Sequence, residues 1–213
     1  MKDYVAGKAW KQEKYDRILE AGFVLFAERG IGAVRMTEVA KAGEVGDVTL
    51  FRYFPTKTDL VVAIATRKWK DSIDRYDGLK TCEEKEKLTG EERLKFFLDS
   101  FLELYRNHKD ILRFNYEFNA FVRGAEWTDE QRLPYLQMVN KVGEQFHELY
   151  ECGKRDGTLN TEIPEQTMFS SAFHIMLAAV TRYAVGLAVV NESPPESELV
   201  MLGELLLSRF TNH

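Results

Sequence analysis

The 213-residue sequence predicts an all-α protein, a small N-terminal head of three helices followed by a larger helical body. Three observations carry that reading. Apolar residues recur at spacings of three and four almost throughout, and the strict alternation of a half-buried strand is nowhere sustained. Gly30, Gly43 and Pro55 cut the first sixty residues into short helices. Charge divides the chain: residues 1–70 hold 13 Lys and Arg against 9 Asp and Glu, a net of +4, whereas the rest holds 16 against 25, a net of −9. With 45% hydrophobic and 30% charged residues, the composition is that of a globular protein able to build its own core.

The first helix is expected at about 8–29, where Ile18, Ala21, Gly22, Leu25 and Phe26 fall at i, i+3, i+4, i+7 and i+8, with Gly30 as its stop. A second, at about 36–43, brings Met36, Val39 and Ala40 together and is interrupted by Gly43. A third runs over about 46–53 and ends before Pro55, which disfavours helical geometry in Phe54 and has no amide to donate. Thr56 then opens a fourth helix, about 57–76, with Asp59 completing a T-x-x-D capping box.

Two short helices joined by a tight turn after a longer one describe a helix-turn-helix. Val45, Leu50 and Phe54 are its expected anchors, which leaves Asp47, Val48, Thr49, Arg52 and Tyr53 facing outward. The excess of positive charge in this segment suits a polyanion, because cations that neutralise phosphates release bound counterions. Lys57 stands where its ammonium and the free amides of the fourth helix would both favour a phosphate. Lys8, Lys11 and Lys14, spaced by three, could extend a basic edge.

The stretch "ILEAGFVLFAERGIGAVRMTEVAKAGEVGDVTLFRYFPTKTDL" resembles the DNA-binding domain of the TetR family of bacterial transcriptional repressors. The likeness lies in the amphipathic first helix, the A-E-R-G that follows, the T-L-F-R-Y-F recognition helix and the P-x-K-x-x-L opening of the fourth helix. It implies a DNA-binding set of Arg35, Thr37, Gly46, Asp47, Val48, Thr49, Arg52, Tyr53 and Lys57. The chain departs from the family pattern at Glu44, where glycine is usual, at Gly46, where a small hydroxyl residue is usual, and at Arg35, where Thr or Ser often caps. Gly43 and Gly46 are expected to supply the unusual backbone angles of the turn. The resemblance implies a head at 1–57 and a ligand-binding and dimerisation domain at 58–213, with the fourth helix as connector.

In the body, helices are expected at about 91–106, 109–123, 129–153, 164–190 and 196–211. Aromatic residues converging from several of them could line a pocket for an apolar or aromatic molecule. Its candidate lining is Phe97, Phe101, Asn115, Phe118, Met138, His147, Phe173, His174 and Arg182. The last two helices have the character of a dimer surface: small residues such as Ala179 and Gly186 permit close approach, and Leu199, Leu202, Leu206 and Phe210 repeat every three or four residues.

Function follows by resemblance and by exclusion. Cys82 and Cys152 show no disulfide or zinc spacing, and the four histidines no metal motif, so neither a metal nor another cofactor is expected. A G-x-S-x-G elbow is absent and no acid, base and nucleophile set converges, so an enzyme is not expected. The charged N-terminus and the interruption of the most apolar stretch by Arg182 argue against a membrane role and for the cytoplasm. The resemblance implies a homodimeric transcriptional regulator that binds a double-stranded DNA operator, a repressor released by a small apolar or aromatic effector. The alternative is a helix-turn-helix protein governed by a protein partner, with no small ligand.

Overall fold

A computed structural model describes residues 2–78, 81–187 and 194–212, with side chains from residue 11 onward except that of Cys82. The elements are α1 (Lys2–Arg29), α2 (Met36–Ala42), α3 (Asp47–Tyr53), α4 (Lys57–Asp77), α5 (Cys82–Glu86), α6 (Gly90–Asn107), α7 (Lys109–Gly124), α8 (Asp129–Asp156), α9 (Glu165–Ala184) and α10 (Pro195–Phe210). Among the described residues the only extended pairing is an isolated antiparallel bridge between Leu159 and Thr211.

The expected helices are present, with three differences. α1 begins at Lys2 rather than residue 8, because its polar opening turns give no apolar period to read. α5 is additional. It is too charged to show an apolar stripe, but Thr81 and Glu84 form a reciprocal capping box, the Thr81 amide donating to Glu84 Oε2 at 2.7 Å. α9 stops at Ala184, short of the expected 190, and residues 188–190 lie outside the described residues. Its end is a Schellman turn: Gly186 has φ of 75°, its amide donates to Tyr183 O, and the Leu187 amide donates to Arg182 O at 3.0 Å. Gly186 is therefore a helix stop, and a Cβ there would meet nothing within 4 Å. Among the described residues of the protomer no other helix comes close to it.

The chain packs as two compact units. One comprises the chain through Lys70 together with Arg113–Gln137; the other comprises Asp71–Leu112 and Met138–His213. In the first, the buried side of α1 is Ile18, Leu19, Phe23 and Phe26, with Ala21 and Leu25 at its margin rather than its centre. Gly22 lets α4 approach, since a Cβ there would stand 2.7 Å from Ile64 Cδ1. Residues 113–137 add Phe114 against Phe23 at 5.6 Å between centroids, and Phe118 against Trp127 and Tyr135.

The second unit is organised around α6, whose Leu94, Leu98 and Phe101 are buried with Met168, Ala172, Met176 and Val180 of α9 and Leu199 of α10. Gly90 opens α6 against Gly153 of α8, and a Cβ on Gly90 would overlap the Gly153 backbone. Asp156 fixes the same junction by accepting from the Gly90 amide at 2.8 Å and from the Thr158 amide at 3.0 Å. Replacing Gly90 with Ala forces backbone apart from backbone, and the expected loss is about 1–3 kcal/mol, the usual range for overpacking a filled site. Urea denaturation of the variant against the parent measures it.

Candidate nucleic-acid interface

The helix-turn-helix consists of α2 and α3, each too short to be stable alone, so its geometry is set by the groups that pin its ends. At the start of α2 the Arg35 amide donates to Glu38 Oε2 at 2.8 Å. An arginine side chain has no acceptor with which to return the bond, so only half of a capping box is made. The Arg35 amide, and next Arg29 at 2.9 Å, hold the Glu38 carboxyl below the usual carboxylate range. The guanidinium of Arg35 is left at the surface, as is Thr37.

The turn differs from the expectation. Gly43 has φ of −81° and Gly46 has φ of −74°, both ordinary values. The left-handed residue is Glu44, with φ of 52°. It occupies the C′ position of a Schellman turn: its amide donates to Lys41 O at 3.2 Å, and the Val45 amide donates to Ala40 O at 2.9 Å. A Cβ on Gly43 would stand at ordinary van der Waals distance from α1, 3.4 Å from Arg17 O and 3.5 Å from Ile18 Cα, so closeness to α1 does not demand the glycine either. Gly46 caps α3 without a side-chain bond.

α3 is anchored by Leu50, which is fully buried, and is followed by Phe54, which packs on Tyr15 at 5.2 Å between ring centroids. Asp47, Val48 and Arg52 are exposed and Thr49 is half-buried. Phe51 is also 43% exposed, although nothing in its periodicity singled it out. Tyr53 is half-buried, its hydroxyl donating to Lys11 O at 3.2 Å and its ring edge-on to Tyr15.

α4 opens with the expected capping box. The Thr56 amide donates to Asp59 Oδ2 at 2.8 Å and the Asp59 amide donates to Thr56 Oγ1 at 3.1 Å. Gln131 donates to the other Asp59 oxygen at 2.6 Å. Partial burial pushes the Asp59 carboxyl up, but the bonds from Gln131 and Thr56 outweigh it and the net direction is down. Lys57 turns inward: its Nζ donates to Val34 O at 2.7 Å and lies 5.8 Å from the Phe26 ring centroid. Burial lowers its pKa, with Glu38 opposing. The side chain braces the loop that leads into α2, a role the sequence did not suggest.

The candidate effector residues are divided between the two units. Asn115 and Phe118 belong to the first unit, where Asn115 is 4% exposed and accepts from Trp69 Nε1 at 3.3 Å. In the second unit Phe97, Phe101 and Phe173 come together with Phe146 and Phe169, neighbouring centroids lying 5.1–6.4 Å apart. Met138 is buried. His147, His174 and Arg182 are on the surface, His147 facing Glu165 at 3.0 Å, which raises its pKa. Of the expected dimer residues, Leu199, Leu206 and Phe210 are buried within the protomer, while Ala179 and Leu202 are half-buried. Ile175, Met201 and Leu205 are the large apolar side chains of α9 and α10 that are exposed. No group of His, Cys, Asp and Glu suited to a metal ion occurs among the described residues, and no helix is long and apolar enough to cross a membrane.

The turn generates a stability prediction. A left-handed L-residue costs about 1–2 kcal/mol and glycine adds about 0.5–1 kcal/mol of chain entropy, so Glu44→Gly is expected to stabilise by about 0.5–1 kcal/mol. Its contact with Arg17, 3.5 Å long and exposed, adds little. Glu44→Ala keeps the left-handed backbone and should gain nothing, so chemical denaturation of both variants separates relief of strain from loss of charge.

Residues 18–64 match the family model described as bacterial regulatory proteins, tetR family. The uncharacterised HTH-type transcriptional regulator YvdT of Bacillus subtilis (strain 168) is 25% identical over 133 residues, which are 61% of this chain and 64% of that protein. The chain thus spans less than two thirds of that relative's length. The fatty acid metabolism regulator protein of the same organism is 29% identical over 155 residues, 73% of each chain. Among solved structures, the fatty acid degradation regulator FadR from Bacillus halodurans shares the fold with a TM-score of 0.68 at 23% identity, over 91% of this chain and 94% of that one. FadR from Bacillus subtilis in complex with stearoyl-CoA gives a TM-score of 0.69 at 19% identity, over 91% and 98%. The helix-turn-helix segment is thus similar to bacterial regulatory proteins of the tetR family, and the helical architecture that carries it is shared with the FadR structures.

Proposed function

We propose that the protein is a cytoplasmic, non-enzymatic transcriptional repressor that binds a DNA operator as a homodimer and is released by an apolar effector of the long-chain acyl type. The observation that carries this reading is the exposed outer side of α3, held by a buried Leu50 within the segment that matches the family. Arg35, Thr37, Gly46, Asp47, Val48, Thr49 and Arg52 supply the DNA-facing surface. Tyr53 and Lys57 keep it in register through Lys11 O and Val34 O, and an ammonium with three donors can serve a phosphate as well as Val34.

The effector reading rests on the Phe97, Phe101, Phe146, Phe169 and Phe173 cluster and on what similar proteins bind. One relative is named for fatty acid metabolism, and one structural neighbour was solved with stearoyl-CoA. A ligand controls DNA binding only by favouring the form that does not fit the operator. The expected result is that stearoyl-CoA raises the melting temperature and weakens binding of a fluorescent DNA fragment, and that Phe169→Ala reduces both effects. Binding to the folded state at a hundred times its Kd adds about 2.7 kcal/mol of stability. If no acyl ligand shifts the melting temperature while DNA binding persists, control by a protein partner replaces this reading.

The dimer is assigned to the exposed apolar side of α9 and α10, Ile175, Ala178, Met201 and Leu205, with Ala179 and Leu202 at its edge. Apolar side chains left exposed at helical spacing, i and i+3 on α9 and i and i+4 on α10, are the kind of surface that an association site uses. The double variant Met201→Glu, Leu205→Glu is expected to sediment as a folded monomer. Leu206→Glu, which puts a charge on a side chain 9% exposed within the protomer, should unfold instead, and circular dichroism beside sedimentation distinguishes the two.

A further inference from the structure

Val48 is 85% exposed, the highest value among the large exposed apolar side chains of the described residues, and Phe51, one helical turn on, is 43% exposed. With Arg52 they stand at i, i+3 and i+4 and so share one side of α3. A helix face whose only task was solubility would not place a valine and a phenylalanine there. The polar side chains nearby are differently disposed. The Tyr53 hydroxyl is given to Lys11 O and the Lys57 ammonium to Val34 O. The Arg52 guanidinium lies 5.7 Å from the Tyr53 ring centroid. Asp47 offers acceptors only.

We infer that operator choice depends mainly on thymine C5-methyl groups, read by van der Waals contact with Val48 and Phe51. This inference rests on the DNA-binding reading above. In the major groove the methyl group of thymine is the one apolar feature of the four bases, so an apolar pair on the entering helix has a single natural partner there. Guanine presents only acceptors, so Asp47 cannot serve it, and Arg52, the guanidinium on that side, lies over the Tyr53 ring. Cations placed outside the apolar pair, Arg35 and Lys11 among them, supply attraction to phosphates, which carries no base information. Specificity and affinity thus reside on different side chains.

Deoxyuridine tests this directly, because it keeps every hydrogen-bonding group of thymidine and removes only the methyl. Sites are selected from a random duplex library with the full-length protein, and each thymine of the enriched site is replaced singly by deoxyuridine. Loss of one buried methyl should weaken binding about three- to fivefold at one or two positions in each half-site. Val48→Ala should bind the thymine and uracil versions of one of those positions equally, and Phe51→Leu, which keeps an apolar side chain over the partly buried site, should reduce the preference at a neighbouring position. Replacing the weakened uracil by 5-methylcytosine, with guanine opposite, should restore part of the loss if the methyl is what is read. Uniform affinity across all deoxyuridine substitutions would overturn the inference while leaving DNA binding intact, as would a Val48→Ala protein as sensitive to the methyl as the parent. Failure to enrich any sequence would overturn the DNA-binding reading as well.

Discussion

Helices of seven residues are not self-sustaining, because nucleation fixes several residues for each hydrogen bond gained. α2 and α3 exist because their surroundings hold them, and much of the first unit can be understood as that support. Side chains reach main-chain groups at each boundary: Glu38 takes the Arg35 amide, Lys57 the Val34 carbonyl, Tyr53 the Lys11 carbonyl, and Glu117 the Ile31 amide. Beneath them Leu50 and Val39 are fully buried. The outward side of α3 is free of structural duty because these contacts are made elsewhere.

The second unit solves a different problem. Its helices are long enough to persist, and the constraint is how close they approach. The meeting of Gly90 with Gly153 brings α6 and α8 into backbone contact, and Asp156 satisfies the amides that this closeness would otherwise bury unpaired. The phenylalanines from α6, α8 and α9 then fill the adjoining space with edge-to-face and tilted pairs. Rings packed in that way can part for an apolar guest without leaving a polar group unsatisfied.

Periodicity and capping made much of the architecture legible. The T-x-x-D box at Thr56, the stop at Gly30 and the anchors Leu50 and Phe54 all follow from local chemistry and occur as written. What local chemistry cannot supply is the partner from a distant segment. Asn115 is a candidate ligand contact from its sequence alone, and nothing local reveals that its side-chain oxygen accepts from Trp69, forty-six residues earlier. Lys57 was legible as a cation near a helix start, but not the carbonyl to which it turns. The α10 leucines repeat at a helical period that fits either side of a helix, so sequence alone could not separate Leu199 and Leu206, which fill the protomer, from Met201 and Leu205, which do not. The turn residue Glu44 was hidden for another reason: two flanking glycines offered an easier answer than a glutamate in left-handed geometry.

The bond from the Ile31 amide to Glu117 Oε2, 3.3 Å long, joins residues eighty-six apart, and Gly30 leaves room for that carboxylate where a Cβ would stand 2.8 Å from it. An amide held in this way exchanges its hydrogen with solvent only when the carboxylate withdraws. The Ile31 N–H is therefore a built-in spectroscopic reporter on residues 113–137. Its exchange rate, read at a single backbone position, follows the attachment of a segment that carries no part of the helix-turn-helix itself.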